Sequence, residues 1–259
     1  MNILDTIIEK KKVEVSERKL KATLVDLQES IYYSRSTFSL VSKLNEADSS
    51  GIIAEFKRRS PSKGIINAHA DVVEVTRAYQ NGGAAAVSVL TDESFFGGSD
   101  ADLLAIRAHL DIPILRKEFI IDEYQVHEAK SIGADLILLI AACLSPVEVK
   151  QLSSLAKSIG LEVLLELHDE DELGHICDTV DLVGINNRSL KTFDVNIERS
   201  LRMAEQIPKD KMKVAESGID DPSQVRLFRE NGYNAFLIGE NFMKTTDPGT
   251  ALSQFIKNI

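Results

Sequence analysis

Short apolar runs rich in valine, isoleucine and leucine recur along the chain from residue 51 onward. Longer stretches with apolar residues at helical spacing separate these runs, which is the pattern of buried strands alternating with amphipathic helices. Eight runs are predicted as strands, and they lie at residues 52–56, 85–90, 112–116, 135–140, 161–166, 182–186, 213–215 and 235–239.

Four of the runs follow a glycine-bearing turn, where a helix is predicted to end on a residue that can adopt a positive φ. These turns are Asn81-Gly82-Gly83, Ile132-Gly133-Ala134, Ile159-Gly160-Leu161 and Asn231-Gly232-Tyr233. Strands with two apolar faces need cover on both sides, which helical crossovers provide, so the sheet is predicted to be parallel. Eight strand-then-helix units in about 210 residues match an eightfold (β/α) TIM barrel, an α/β fold, better than a doubly wound sheet.

The segment before the first strand is predicted to form two or three helices. Ile3, Leu4, Ile7 and Ile8 lie on one stripe of the first helix. We therefore expect a helical N-terminal extension, residues 1–48, packed on a catalytic barrel of residues 49–259. Its expected role is that of a lid on the open end of the barrel, or a brace along its side, without chemistry of its own.

Composition and charge narrow the classes of function. The chain has 259 residues and a formal net charge of −10, which disfavours nonspecific binding to nucleic acid or to an anionic membrane. The longest apolar run, residues 136–144, has about half of the ~20 residues that a membrane-spanning helix needs. The N-terminal residues, with Asp5 and three consecutive lysines, do not resemble a targeting peptide. Cys143 and Cys177 are expected to be reduced, and a cytoplasmic location is expected.

Charged and polar residues close several of the predicted strands. In a TIM barrel the active site lies at the C-terminal ends of the strands, so these residues are expected to converge there. Any one of them could be a strand end in water or a structural ion pair. Two lysines and three glutamates at one mouth would shift each other's pKa values, as general acid and base catalysis requires. The residues are Glu55, Lys57, Lys117, Glu166, Asn186, Arg188 and Glu216.

The ends of the last two strands are small and bear glycines, at Ser217-Gly218 and Gly239-Glu240. Backbone N–H groups exposed there often bind phosphate in this fold, whereas an isolated glycine would simply allow a tight turn. The five histidines show no metal-ligand spacing. His168 lies two residues beyond Glu166 and is expected to be a solvated loop residue, with a role in the site as the alternative. Phe95 and Phe96 could line a pocket for a flat ring or could pack within their loop.

Six segments of the chain form a recognisable set. They are IAEFKRRSPSKG at 53–64, SVLTD with FFGG at 88–98, LRKEF at 115–119, ELH at 166–168, GINNR at 184–188 and AESGI at 215–219. Together they resemble the indole-3-glycerol phosphate synthase family, over nearly the whole chain. The resemblance implies cyclisation of 1-(2-carboxyphenylamino)-1-deoxyribulose 5-phosphate to indole-3-glycerol phosphate, a carboxy-lyase reaction of tryptophan biosynthesis. No metal or organic cofactor is implied.

The resemblance also implies roles for individual residues. Lys117 resembles the general acid that protonates the ribulose carbonyl, and Glu166 the residue that moves protons during dehydration, although which of Lys57 and Lys117 donates the first proton is open. Lys57 would meet the substrate carboxylate. Supporting residues would be Glu55, Asn186, Arg188 and Glu216, the anthranilate ring would lie against Phe96 and Phe119, and the phosphate would bind at Ser60, Ser217, Gly218, Gly239 and Glu240.

One position departs from the family pattern, because a small hydroxyl residue often follows the glycine where this chain has Glu240. A carboxylate beside a phosphate would repel it, so the side chain is expected to point away. The expected partner is the small phosphorylated substrate, with transient contact with other pathway enzymes. The rival functions are another phosphate-binding barrel enzyme, such as a sugar-phosphate isomerase, and a catalytically idle barrel retained in an assembly.

Overall fold

The computed structural model describes residues 3–188 and 194–259, and their strands form one closed parallel barrel. Neighbours along the chain pair in order, and β8 closes the ring against β1. The strands are β1 Ile52–Phe56, β2 Ala86–Leu90, β3 Ile114–Lys117, β4 Leu136–Ile140, β5 Glu162–Leu167, β6 Leu182–Asn186, β7 Met212–Glu216 and β8 Ala235–Ile238. The predicted TIM barrel is confirmed, and every predicted strand coincides with an observed one to within two residues.

Among the described residues, three helices precede the first strand along the chain, and the others follow the barrel strands. The helices are α1 Ile3–Lys21, α2 Leu24–Gln28, α3 Leu40–Leu44, α4 Val72–Asn81, α5 Glu93–Phe96, α6 Asp100–Arg107, α7 Glu123–Ser131, α8 Pro146–Ser158, α9 Ile197–Ala204, α10 Pro222–Glu230, α11 Glu240–Met243 and α12 Pro248–Ile256. A short antiparallel hairpin follows β1, and its two strands, Arg59–Ser60 and Gly64–Ile65, have two residues each. In the part of the chain that is described, no helix is long and apolar enough to cross a membrane.

The crossover between β5 and β6 differs from the prediction of eight strand-then-helix units. It contains a 3₁₀ helix, Glu170–His175, and no α-helix. Fourteen residues, 168–181, must leave the barrel, cross and return. That length does not accommodate two turns into and out of the sheet and a long α-helix between them. The four glycine turns, by contrast, match the prediction, since Gly83, Gly133, Gly160 and Gly232 all have positive φ.

The strand alternation sorts the core into two layers. Side chains such as Ile53, Leu115 and Leu164 point into the barrel, and their neighbours pack outward against the helices. Because β1, β3, β5, β6 and β7 keep this period to their C-terminal ends, the polar residues that close them also face inward.

The N-terminal extension contacts both ends of the barrel. Leu40 at the start of α3 is completely buried among the inward-facing side chains of the strands, where it closes the base. The N–H of Leu40 donates to Glu162 at the start of β5 at 2.8 Å. The first residues of α1 lie at the opposite end, beside the cavity described below. Two or three helices are predicted here and three are present in the described part of the extension, and the division into domains at residue 48 stays a prediction.

Candidate active site

A cavity of about 560 Å³ opens at the C-terminal ends of the barrel strands. Its deep end is both charged and apolar, because inward-facing glutamates and lysines stand above Leu138, Ile140 and Leu237. All fourteen residues predicted to form the site line this one cavity. Their individual roles stay predictions.

Lys117 is the centre of the charged end. Its Nζ lies 3.7 Å from Glu55 Oε2, 3.6 Å from Glu166 Oε2 and 3.5 Å from Glu216 Oε2. The three carboxylates come from β1, β5 and β7, so the barrel brings together residues that are far apart along the chain. A second lysine, Lys57, places its Nζ 2.6 Å from Glu55 Oε1.

Glu166 is held on its other oxygen. The Nδ2 of Asn186 donates to Glu166 Oε1 at 3.1 Å, and His168 Nε2 lies 3.0 Å from the same atom. Oε1 is therefore held by Asn186 and His168, and Oε2 faces Lys117. The carboxylate cannot rotate without losing one of these partners.

Burial and charge shift the pKa values of this cluster in opposite directions. Burial alone lowers the pKa of Lys117, but Glu166, Glu216 and Glu55 outweigh it and raise that pKa, so the ammonium stays charged. Burial raises the pKa of Glu166, yet Lys117 and His168 bring it below the ordinary value. Glu216 is different, because burial and the nearby Glu166 raise its pKa well above the ordinary value. The two carboxyls therefore favour opposite protonation states, as an acid and a base in one site do.

Two glycines leave the space that these carboxylates fill. A Cβ at Gly184 would collide with Glu216 Oε1, and a Cβ at Gly239 would lie 2.5 Å from Glu55 Oε1. The phosphate-binding role of Gly239 stays a prediction, and the structure shows a second requirement at this position. Its missing side chain makes room for Glu55.

An aromatic pair borders the cavity beside Lys117. The ring centroids of Phe96 and Phe119 are 6.0 Å apart, with the ring planes tilted by 39°. Leu4 and Ile7 of α1 line the same cavity. The expectation of a lid is consistent with this position, and the extension also supplies part of the cavity wall.

The candidate phosphate region lies at the ends of β7 and β8, whose residues line the same cavity. Ser217 and Gly218 both have left-handed φ, 67° and 68°, and Ser217 is the one non-glycine residue with positive φ among those described. Such a conformation is costly and often marks a functional segment. The Glu240 carboxylate lies 3.5 Å from Lys63 Nζ, so its charge is partly offset.

Two polar residues near the site were not among those predicted to form it. His168 is only 5% exposed, so its assignment as a solvated loop residue is wrong. The residue turns inward because its backbone N–H donates to the Glu172 carboxylate at 2.6 Å. Lys63 was not singled out, although it stands in the run SPSKG at 60–64, within the first of the family-like segments. Ser60 accepts from the N–H of Lys63 at 3.2 Å, and Arg188 donates its N–H to Asn186 at 3.0 Å.

Among the described residues, no cluster of three or more His, Cys, Asp or Glu side chains is arranged to hold a metal ion. Cys143 and Cys177 are both free thiols.

Comparisons with known proteins agree with one another. A family model described as indole-3-glycerol phosphate synthase matches residues 4–255. The curated indole-3-glycerol phosphate synthase of Bacteroides thetaiotaomicron is 49% identical over 258 residues, covering 100% of this chain and 99% of that protein. The one from Polynucleobacter asymbioticus is 42% identical and covers 98% of both chains.

Solved structures with the same fold are more distant in sequence. A mutant tryptophan synthase alpha-subunit from Pyrococcus furiosus aligns with a TM-score of 0.60 at 14% identity, covering 81% of this chain and 97% of that one. A thiamine phosphate pyrophosphorylase from the same organism aligns with a TM-score of 0.62 at 15% identity, covering 85% and 97%. At these identities the likeness shows the barrel fold alone.

Proposed function

The chain belongs to the indole-3-glycerol phosphate synthase family, and from this premise we propose that its cavity converts 1-(2-carboxyphenylamino)-1-deoxyribulose 5-phosphate to indole-3-glycerol phosphate with loss of CO2 and water. The observation that carries this proposal is the position of Lys117 Nζ, within 3.7 Å of three carboxylates at the mouth of the barrel. A charged ammonium among proton acceptors suits a reaction in which protons are given and taken within one pocket.

The first step is ring closure. The ring carbon that carries the carboxylate attacks the ribulose carbonyl, a carbon–carbon bond forms, and the carbonyl electron pair moves to oxygen. Lys117 donates its proton to that oxygen as negative charge develops there. Lys57 meets the substrate carboxylate while Glu55 holds its ammonium at 2.6 Å.

The later steps release CO2 and then water. The bond to the carboxylate breaks, and its electrons restore the aromatic ring. The new hydroxyl then takes a proton and leaves as water, while a proton is lost from the adjacent carbon to form the indole double bond. Glu166 moves protons in this dehydration. Counting these transfers, the reaction of the ionised substrate consumes one proton.

Phe96 and Phe119 receive the anthranilate ring, whose face they contact from one side of the cavity. The phosphate lies where backbone N–H groups at the ends of β7 and β8 bind it. Lys63, which the sequence analysis did not include, adds a cation near Glu240. The phosphate residues are Ser60, Ser217, Gly218, Gly239 and Glu240, with Asn186, Arg188 and Glu216 supporting the reacting groups.

The reaction makes the protein a carboxy-lyase, and we infer that it acts in the cytoplasm, which two free thiols and an acidic charge support. Transient contact with other enzymes of the pathway stays a prediction.

The function is tested by incubating the purified protein with the carboxyphenylamino substrate and following indole fluorescence. Formation of indole-3-glycerol phosphate, and its loss in Lys117→Met, is the expected result. A protein that isomerises a phosphorylated sugar but releases no CO2 from this substrate would contradict the proposal.

A further inference from the structure

A lysine of the N-terminal helix is buried beside the active site. The side chain of Lys11, on α1, is 0% exposed, and its Nζ lies 2.7 Å from Glu14, 3.0 Å from Asp92 and 3.0 Å from Glu118. Burial lowers the pKa of Lys11, but Glu118 and Asp92 outweigh it, so the ammonium stays charged. A buried charge of this kind needs its partners in fixed places.

Asp92 and Glu118 both hold the backbone of an aromatic residue. Asp92 Oδ1 accepts from the N–H of Phe95 at 2.7 Å and from that of Phe96 at 3.2 Å. Glu118 Oε1 accepts from the N–H of Phe119 at 2.8 Å. Lys11 therefore contacts the two carboxylates that orient the loops carrying Phe96 and Phe119.

Among the described residues, no second cation contacts these two carboxylates. Within residues 3–188 and 194–259, Lys11 is the one Lys, Arg or His whose side-chain nitrogen lies within 4.0 Å of the Asp92 or Glu118 carboxylate. Without it, the two buried carboxylates would lose the cation that contacts both of them. Arg116, whose charge also acts on Glu118, forms its ion pairs with other carboxylates. Asp92 and Glu118 would then separate or take up protons. Either response moves the loops that carry the two rings.

We propose that Lys11 is a positioning residue, which holds Phe96 and Phe119 at the spacing that receives the aryl ring of the substrate. The proposal rests on the ring-binding role of the two phenylalanines proposed above. It makes the N-terminal helix part of the ring-binding half of the site, while the phosphate half, at the ends of β7 and β8, does not depend on it.

The chain offers a matched control on the same helix. Lys12 is the next residue and has the same side chain, but it is exposed and pairs only with Glu9, one turn before it. Replacing Lys12 removes the same charge from the same helix and leaves the buried cluster intact.

The test compares a ligand with a ring and a ligand without one. Binding of indole-3-glycerol phosphate and of glycerol 3-phosphate is measured by calorimetry, and KM and kcat are measured with the substrate. Lys11→Met is expected to weaken indole-3-glycerol phosphate by about fivefold to tenfold, the scale of a lost aromatic contact, and to raise KM more than it lowers kcat. Glycerol 3-phosphate should bind as before, and Lys12→Met should change neither ligand.

Three results separate the possible failures. Unchanged binding of indole-3-glycerol phosphate in Lys11→Met would overturn the proposal, and so would equal weakening of both ligands, which would show a merely structural role. Phe96→Ala and Phe119→Ala variants that bind the ring-bearing ligand normally would instead overturn the proposed ring site. If Lys11→Met does not fold, Lys11→Arg keeps the charge on a larger planar head; it should weaken the same ligand selectively, and a variant without that selectivity would also overturn the proposal.

Discussion

Nε2 of His168 lies 3.0 Å from Oε1 of Glu166, and both side chains are buried. The contact leaves Oε2 of the glutamate to face Lys117 at 3.6 Å. It joins the Glu166 carboxylate to a residue on the loop after β5, outside the set of strand-end charges. Its effect is to hold the carboxylate in one orientation and in its ionised form.

His168→Ala should move the acid limb of the kcat profile to higher pH. The pKa of Glu166 is held below its ordinary value by Lys117 and His168 against burial, and loss of a donor raises it. Because the carboxylate is the active form, activity is then lost at a higher pH as the pH falls. His168→Gln, which keeps an N–H donor, should shift the limb less, and His109→Gln, an exposed histidine, should not shift it. Identical profiles for all three variants would remove His168 from the site.

Lys117→Met should lower kcat by roughly 10²- to 10⁴-fold, the range for loss of a positioned general acid. Product binding should change far less, because the ring and phosphate regions are untouched. Steady-state kinetics and calorimetry with indole-3-glycerol phosphate check this. A variant with near-normal kcat would assign the first proton to another group. Lys57 is the candidate, because its Nζ contacts Glu55, one of the glutamates that also face Lys117.

Glu166→Gln should slow a step after ring closure, because an amide cannot carry the protons of the dehydration. Single-turnover traces should then show normal consumption of substrate and an intermediate that accumulates. Slow consumption with no intermediate would place Glu166 in the first step.

Gly239→Ala should reduce kcat by roughly 10- to 100-fold, the cost of displacing a catalytic group by about 1 Å. The added Cβ would lie 2.5 Å from Glu55 Oε1 and would push that carboxylate away from Lys57 and Lys117. Backbone strain is not the cause, since Gly239 has a φ of −125°. Gly174→Ala, with no atom within 4 Å of the added Cβ, is the control. A rise in KM with no change in kcat would instead indicate that Gly239 acts mainly in binding the phosphate of the substrate.

Glu240→Ser should leave KM unchanged or lower it by at most about fivefold, because a half-exposed ion pair with Lys63 is worth little. Removing the carboxylate also frees Lys63 for the phosphate. The effect should shrink as salt is added. If the substrate no longer binds to this variant, Glu240 has a direct role that the structure does not suggest.

The residues at the strand ends can be predicted from the sequence because two simple rules determine where they lie. Alternation along a strand places Glu55 and Lys57 on one face, and parallel pairing brings the ends of all strands to one rim. These two rules predict that Lys117, Glu166 and Glu216 lie together at one end of the barrel, although the rules give no distances between their atoms.

Residues whose position depends on a loop are not readable in this way. His168 stands two residues beyond Glu166, where the chain could turn outward or inward, and its inward position depends on the bond between its N–H and Glu172. Lys11 did have a signal. It lies four residues after Ile7 and four before Val15, on the buried stripe of α1, but the flanking lysines make it look like part of a solvated run.

The position of Leu40 inside the base of the barrel has a consequence for how the chain is assembled during synthesis. Glu162, which binds the start of its helix, is 122 residues further along the chain, and the ring of strands around Leu40 closes only when β8 pairs with β1. The segment around Leu40 leaves the ribosome before all eight strands and therefore reaches its final place last. Contacts of such long sequence separation slow folding, so nascent chains that have not yet added β8 should expose this leucine and recruit chaperones.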